Sequence, residues 1–407
     1  MVENVVIRAR VHNCTLDVTR SELVRFIGKE VEVLVEGHRL RAIVHEKRQG
    51  KYVYGRLKVT APVLCIYNDR EVTVTVKPLR SVVHELVEKY LDILLGGAKF
   101  RQTETPAGTV QSWFVEKLKL EEKEWLVKEI LAILLEKIPG RVCINFSGGR
   151  DSLVLLHLFV MVCEEYGIPK SRLLVLHCDT GLHPPGTVDY VRDTVKELGL
   201  ADHQLIVFRP IVSPWWIFRK FGFPGKRKMS QRYPYICCYL LKKLPTYLVL
   251  KYIPEIAIDA IGWTYHESWR RYIEIARWGI IQKLRTFRER LIVRVYPVYI
   301  FSHYDIRRYI EKHGLREHWI YKVQGCDRLA CLPCTAVMAN VWHCLRRINP
   351  KLYEFVLKKL NEYGWQTSSI AHEVKKFVEE LLQRLDASNL EEARKKIARA
   401  LYEKFGP

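Results

Sequence analysis

The chain has 407 residues, 48% of them hydrophobic, and carries 66 Lys and Arg against 45 Asp and Glu, for a formal net charge of +21. That apolar content excludes a disordered chain, and no run of about 18 uncharged apolar residues is present to make a transmembrane helix, so no membrane association is expected. An excess of this size concentrates polyanions such as tRNA or DNA at the surface, although scarce Asn and Gln beside abundant Lys, Arg and Glu also fit surface adaptation to heat.

The opening MVENVVIRAR lacks the basic start, apolar stretch and cleavage site of a signal peptide, so a cytoplasmic location is expected. Residues 1–78 alternate as strands, with Val31, Val33 and Val35 in one run and Val72, Val74 and Val76 in another, and predict a small β-rich accessory domain. Its net positive charge suits nucleic-acid contact as well as it suits an inert barrel. Residues 79–114 read as a helix over 80–96 followed by a Gly/Thr-rich linker. From 115 to 340 helical and strand patterns alternate, which predicts βαβ units and a doubly wound parallel sheet with helices on both faces. Residues 341–407 read as a charged helical extension. No internal repeat or low-complexity tract is evident.

The stretch CINFSGGRDS, residues 143–152, ends a buried strand and opens a helix. In an open parallel sheet, ligands bind beyond the carboxyl ends of the strands. Gly148 and Gly149 let the backbone turn without a Cβ in the way, so amide N–H groups and the helix N-terminus can surround a phosphate or sulfate. Ser147 and Ser152 add hydroxyls and Arg150 a permanent cation. Asp151 is tolerated beside phosphates if it serves Mg²⁺ or orients the loop.

This stretch resembles the S-G-G-x-D-S pyrophosphate loop of the PP-loop family of ATP pyrophosphatases and sulfonucleotide reductases. HCDTGLHPPGTVDYV is similar to a segment of the phosphoadenosine phosphosulfate (PAPS) reductase branch, and the resemblance places Asp179, Thr180 and Gly181 beside the nucleotide. IGWTYHESWRR resembles that branch's G-x-R-x-x-E-S-x-x-R, matched at Gly262, Glu267, Ser268 and Arg271, and YPVYIFSHYDIRRYI resembles a later segment of it. Arg150 stands where Lys is usual, Thr264 replaces the first Arg, and Pro185-Gly186-Thr187 replaces P-E-T. The resemblance covers roughly 115–340 and implies an adenine nucleotide alpha hydrolase-like fold that binds ATP with Mg²⁺, or adenosine 5′-phosphosulfate (APS) or PAPS. Asp151 and Arg271 are then the candidate catalytic residues of the loop region.

Eleven cysteines, an odd number, argue for metal or redox use rather than a disulfide framework. Cys237 and Cys238 adjoin, Cys331 and Cys334 are spaced C-x-x-C, and thiolates in such pairs suit Zn²⁺ or an iron–sulfur cluster. The arrangement resembles that of the APS reductases, which implies a 4Fe-4S cluster on these four, with zinc as the alternative. Cys326 makes a fifth candidate and leaves one thiol free for chemistry, while Cys14, Cys65, Cys143, Cys163 and Cys178 sit in apolar runs and read as small buried hydrophobes. Between sheet and cysteines, residues 215–235 mix Arg219, Lys220, Lys226, Arg227, Lys228 and Arg232 with seven aromatic rings, as a single-stranded nucleic acid or a nucleotide lid would require.

Two enzymatic readings follow. In the first, ATP adenylates an oxygen of tRNA or DNA and a sulfur then displaces AMP, with a sulfur-donor protein as a further partner. In the second, APS or PAPS is reduced to sulfite at the expense of a thiol reductant protein. The reductase branch carries its attacking cysteine in a C-terminal segment, and no cysteine follows Cys344 here, so thiolation is the expected activity. A nucleic-acid-binding module without catalysis is the third reading.

Overall fold

The computed structural model describes residues 5–28, 30–36, 38–78, 119–225, 235–265, 271, 275, 280–285, 291–332, 334–335 and 339–407. The helix expected over 80–96, the linker after it, Lys226, Arg227, Lys228, Arg232, Tyr233, Glu267 and Ser268 lie outside them. Two compact units result, Met1–Phe100 and Arg101–Pro407. Among the described residues no helix is long and apolar enough to cross a membrane.

The first unit is a closed barrel in the order β1-β2-β5-β4-β3-β6, with β1 Val5–His12, β2 Thr15–Arg20, β3 Glu30–Val35, β4 His38–Gln49, β5 Tyr52–Thr60 and β6 Glu71–Pro78. The valines that alternate in β3 and β6 all point inward and are at most 2% exposed, which is the period of two that the sequence predicted. The barrel is nevertheless a duplication, contrary to the expectation of no internal repeat. Leu16, Val18, Thr19, Leu23, Val31, Val33 and Val35 recur 41 positions later as Leu57, Val59, Thr60, Leu64, Val72, Val74 and Val76. Each half is strand, strand, 3₁₀ turn, strand, and the turns Ser21–Phe26 and Pro62–Tyr67 end alike: the Gly28 N–H donates to the Val44 carbonyl and the Asp69 N–H to the Val11 carbonyl, at 2.8 Å each, with positive φ at both residues. The pairing of β2 with β5 maps onto itself, Leu16 with Val59 and Val18 with Leu57.

Cys14 and Cys65 form a disulfide, with Cys65 exposed, so neither is the buried small hydrophobe expected. Gly55 occupies the place of Cys14 in the second half, and a Cβ there would lie 2.5 Å from the Leu23 backbone. Of the two equivalent contacts between the halves, one is therefore closed with sulfur and the other by close approach.

The second unit holds a six-stranded sheet in the order β11-β12-β10-β7-β8-β9, with β7 Arg141–Asn145, β8 Leu173–Cys178, β9 Leu205–Phe208, β10 Ile256–Ile261, β11 Ile281–Arg285 and β12 Leu291–Val295. Five strands run parallel. The edge strand β11 pairs with β12 antiparallel, so the doubly wound parallel sheet that the alternation predicted carries one antiparallel edge. Val142, Cys143 and Ile144 are fully buried, as strands covered on both faces require. Helices α1 Leu120–Lys137, α2 Arg150–Glu165, α3 Thr187–Glu197, α4 Pro214–Phe221, α5 Leu244–Tyr252 and α6 His303–Lys312 connect and cover the strands. The C-terminal helices α7 Ala339–Ile348, α8 Pro350–Tyr363, α9 Ser368–Arg384 and α10 Leu390–Phe405 follow. Val356, Val374, Val378, Ile397 and Leu401 share one apolar core with Phe218, Leu240 and Leu248.

That core absorbs most of the rings expected to stack on bases. Trp216, Phe218, Phe221, Phe223 and Tyr235 are at most 8% exposed, with Trp216 edge-on to Tyr402 at 5.0 Å and Phe221 edge-on to Phe405 at 5.3 Å. Trp216, Phe218 and Phe221 of α4 thus belong to a buried face rather than to a base-stacking platform.

Candidate active site

Strand β7 comes first in the series, β8 lies on one side of it and β10 on the other, so the order of the chain reverses between β7 and β10. The crevice outside their carboxyl ends is the place where an open α/β sheet binds ligands. Residues 146–149 leave β7 at that point and α2 begins at Arg150. Gly148 has φ +83°, a left-handed conformation that favours glycine, with Leu329, Thr187 and Val191 side chains closing around it. The two serines brace the turn: their hydroxyls lie 3.0 Å apart, Ser152 Oγ accepts from the Ser147 N–H and donates to the Gly149 carbonyl at 2.9 Å.

Gly262, just past β10, faces this turn. A Cβ there would stand 3.0 Å from Ser152 Cα and 3.1 Å from both the Asp151 carbonyl oxygen and the Ser152 nitrogen. The structure thus brings the first and third motif segments together through backbone contact. Arg271 stacks on Trp263, its guanidinium carbon 4.7 Å from the ring centroid. Burial pushes the Asp151 carboxyl above the ordinary range, and His303, Arg328, Arg271 and Arg150 pull against that shift, so all four act on this carboxylate. Buried Thr264, which replaces the motif's first Arg, has a hydroxyl with no partner among the described residues.

Asp179 caps its own turn through Oδ1, which accepts from the Gly181 N–H at 2.9 Å, and Gly181 has φ +67°. Thr180 is fully buried, with Oγ1 3.5 Å from Cys331 Sγ, and the Leu332 N–H donates to the Leu182 carbonyl. This link joins the nucleotide segment to the cysteines. The Cys237 thiol is raised well above its ordinary range by its hydrogen bond with Cys238 and by burial, with Cys238, Cys334 and Cys331 adding their charges. Lys242 is raised by Cys331 first, against burial, and further by Cys238 and Cys334. The four thiols thus act on one another and on the Lys242 ammonium, a soft donor set of the kind thiolate-seeking metals need. No group of three or more His, Cys, Asp or Glu among the described residues is disposed to hold a metal ion.

Two histidines that motif reasoning passed over lie in the same region. His177 and His183 have ring centroids 5.3 Å apart, and His177 Nε2 and His183 Nδ1 are buried with no partner among the described residues. Burial lowers both, with Lys242 adding to the effect at each, so both are neutral at physiological pH. Their place in HCDTGLH was the available signal.

The segment after α6 lies over the loop. Glu317 pairs with Arg150, whose guanidinium stacks 4.0 Å from the Tyr321 ring centroid. The Tyr321 hydroxyl accepts from the Arg150 and Leu329 N–H groups, both at 3.3 Å, and so takes a helix N-terminal donor that an anion would use. Arg150, Arg307, Tyr321, Lys322 and Cys326 share the lining of one cleft of 290 Å³. Cys326 is not a free thiol here, as its fifth place in the cysteine count led one to expect. It is disulfide-bonded to Cys344 of α7.

Residues 141–337, nearly half of the chain, match the family model described as the phosphoadenosine phosphosulfate reductase domain. An uncharacterized protein of Methanocaldococcus jannaschii is 26% identical over 234 residues, which are 56% of this chain and 43% of that protein; the chain therefore spans less than half the length of this relative. Among solved structures, phosphoadenylyl-sulfate reductase from Candida auris in a phosphate complex aligns at 15% identity over 53% of this chain and 96% of that one, with a TM-score of 0.36. The U34-tRNA thiolase NcsA from Methanococcus maripaludis with its 4Fe-4S cluster aligns at 15% identity over 60% and 78%, with a TM-score of 0.35. The domain match falls on the loop, the crevice and the cysteine segment described above, so residues 141–337 form a PAPS-reductase-like, PP-loop domain within the chain.

Proposed function

We propose that the chain is a sulfonucleotide reductase that binds APS or PAPS at Ser147–Ser152 and releases sulfite. The observation that supports this reading is the shared open cleft, whose lining includes the loop's Arg150, the cations Arg307 and Lys322, the acid Asp327 and Cys326. Nucleophilic attack on a sulfate needs an anion site and a thiolate within one enclosure, and neighbouring cations favour the thiolate. The loop's amides and the α2 N-terminus would hold the phosphate, Asp179 to Gly181 and Gly262 would border the nucleoside, and Arg271 with Arg150 would neutralise charge at the reacting oxygens. Asp151, half-buried and acted on by cations, orients the loop or takes Mg²⁺ if ATP is the ligand.

A 4Fe-4S cluster on Cys237, Cys238, Cys331 and Cys334 belongs to this proposal, with zinc as the alternative. It rests on the mutual influence of the four thiols, and when bound it would tie together the two segments that carry them, with Cys331 beside Thr180. Iron and sulfide counts after anaerobic purification decide it, and Cys331→Ala should lose both; about one zinc per chain in their place would favour the alternative.

The same four thiols with the +21 charge favour a second reading, adenylation-dependent sulfur transfer to tRNA or DNA with ATP and Mg²⁺. The two are separated by one pair of assays under reducing conditions. Sulfite release from APS or PAPS that does not depend on nucleic acid supports the reductase, whereas pyrophosphate release from ATP only upon addition of RNA or DNA supports sulfur transfer.

A further inference from the structure

We infer that Cys326 and Cys344 are the internal two-electron donor of this site, Cys326 taking the sulfonyl group and Cys344 resolving the adduct. The inference rests on the reductase reading and adds to it a second reacting residue and a source of electrons within the chain.

Three observations carry it. First, the segment bearing Cys326 is fastened to the loop on both sides of the cysteine, by the Arg150–Glu317 pair and the Tyr321 hydroxyl before it, and by Leu329 against Gly148 after it. Cys326 itself lines the cleft that Arg150 enters. Second, Cys344 already stands at bonding distance from Cys326, and α7, its helix, is held to the same segment by Arg347 donating to the Gln324 carbonyl. Both cysteines are only 3% exposed and pack with Ile320, Tyr321, Val323, Leu329 and Ile348, which keeps the two sulfurs together in one apolar cluster. Third, the remaining cysteines of this unit are otherwise engaged. Burial raises the thiols of Cys143, Cys163 and Cys178, and the other four form the set around Lys242.

The chemistry balances with the dithiol as sole reductant. The Cys326 thiolate attacks the sulfate sulfur; an S–S bond forms, the S–O bond to the nucleoside phosphate breaks, and the nucleotide leaves with the electron pair. The Cys344 thiol loses its proton to water and its thiolate attacks Cys326 Sγ, so that a disulfide forms and sulfite departs with the pair from the broken S–S bond. Two thiols give up two electrons and the substrate sulfur accepts them. An external dithiol, such as a thioredoxin-type protein or dithiothreitol, restores the pair before the next turnover. The disulfide in the structure is the product state of that half-reaction.

The test is a single turnover. Full-length protein is reduced anaerobically, freed of reductant, and mixed with APS or PAPS. Wild type should release one sulfite per chain and lose two titratable thiols. Cys344→Ser should consume one nucleotide, keep the sulfonate on Cys326 as seen by mass spectrometry of the peptide, and release sulfite only when dithiothreitol is added. Cys344→Ala serves as a second variant, and nucleotide affinity by calorimetry verifies that each is folded. Sulfite release from both variants at the wild-type rate without reductant would overturn the role of Cys344 and leave the reductase reading standing. If reduced wild type forms neither adduct nor sulfite with either nucleotide, the reductase reading fails and the dithiol falls with it.

Discussion

Replacing Gly262 with alanine adds one methyl group where the end of β10 meets the start of α2. The new Cβ would sit 3.0–3.1 Å from three backbone atoms of Asp151 and Ser152, none of which can rotate away, so the strand end or the helix N-terminus must shift by a few tenths of an ångström. Overpacking of this kind costs about 1–3 kcal/mol, and if the strain is relieved by displacing the loop, the same energy weakens nucleotide binding by roughly 5- to 150-fold. Calorimetric titration with ATP and with APS measures this directly. Gly167→Ala is the control: it lies beyond the far end of α2 at φ +66° with open space around it, and should lower Tm through backbone strain while leaving affinity unchanged. A folded Gly262→Ala protein that binds both nucleotides as tightly as wild type would refute the placement of the ligand in the β7–β10 crevice.

Reducing the Cys14–Cys65 bond, or Cys14→Ser, should destabilise the barrel by up to about 4 kcal/mol on the chain-entropy estimate for a closed loop of this length, read by denaturation of the barrel unit with and without reductant. Lys123→Met leaves Asp305 without the ammonium 2.7 Å away and should cost about 3–5 kcal/mol at neutral pH. Although burial raises the Asp305 carboxyl, Lys123 and Ser302 together hold it below the ordinary range, so its stabilisation is present above the unfolded value and fades as pH falls through the folded one. Tm should therefore decline less steeply on acidification in the variant than in wild type. Phe223→Ala should cost about 3–5 kcal/mol of stability and leave affinity for single-stranded RNA unchanged, because the ring is buried against Phe218. A selective loss of RNA affinity with intact stability would restore the stacking role.

The loop, its strand and its helix were legible because the chemistry is local: two glycines, two serines and an acid between an apolar run and a helical one. The cysteine pairs were legible for the same reason. Residues that act across the fold were not. Nothing near Cys14 or Cys344 announces its partner, since pairing depends on how strands and helices bring distant backbone together. The basic aromatic segment misled because rings and cations in sequence look alike whether they face solvent or a core, and the covering helices α8 to α10 come more than a hundred residues later. The antiparallel edge β11 was hidden because strand direction leaves no trace in hydrophobic pattern. The barrel's duplication, in contrast, was written in the sequence as Leu-x-Val-Thr recurring at 16–19 and 57–60, and was obscured by the longer arms of the β4–β5 hairpin.

The repeat in the barrel has an ancestry in its geometry. A strand pairing that maps onto itself is what two identical chains make across a twofold axis, so each half of the barrel has the form of one subunit of a homodimer, joined here into a single polypeptide. Fusion frees the two copies to drift apart, and they have done so: of the two equivalent contacts between them one gained a disulfide where the other has a bare glycine, and one copy has the longer hairpin, with twelve- and nine-residue arms. A gene segment encoding residues 38–78 alone should yield a chain that associates in pairs, recovering through concentration the closure that the fused barrel has through covalent linkage.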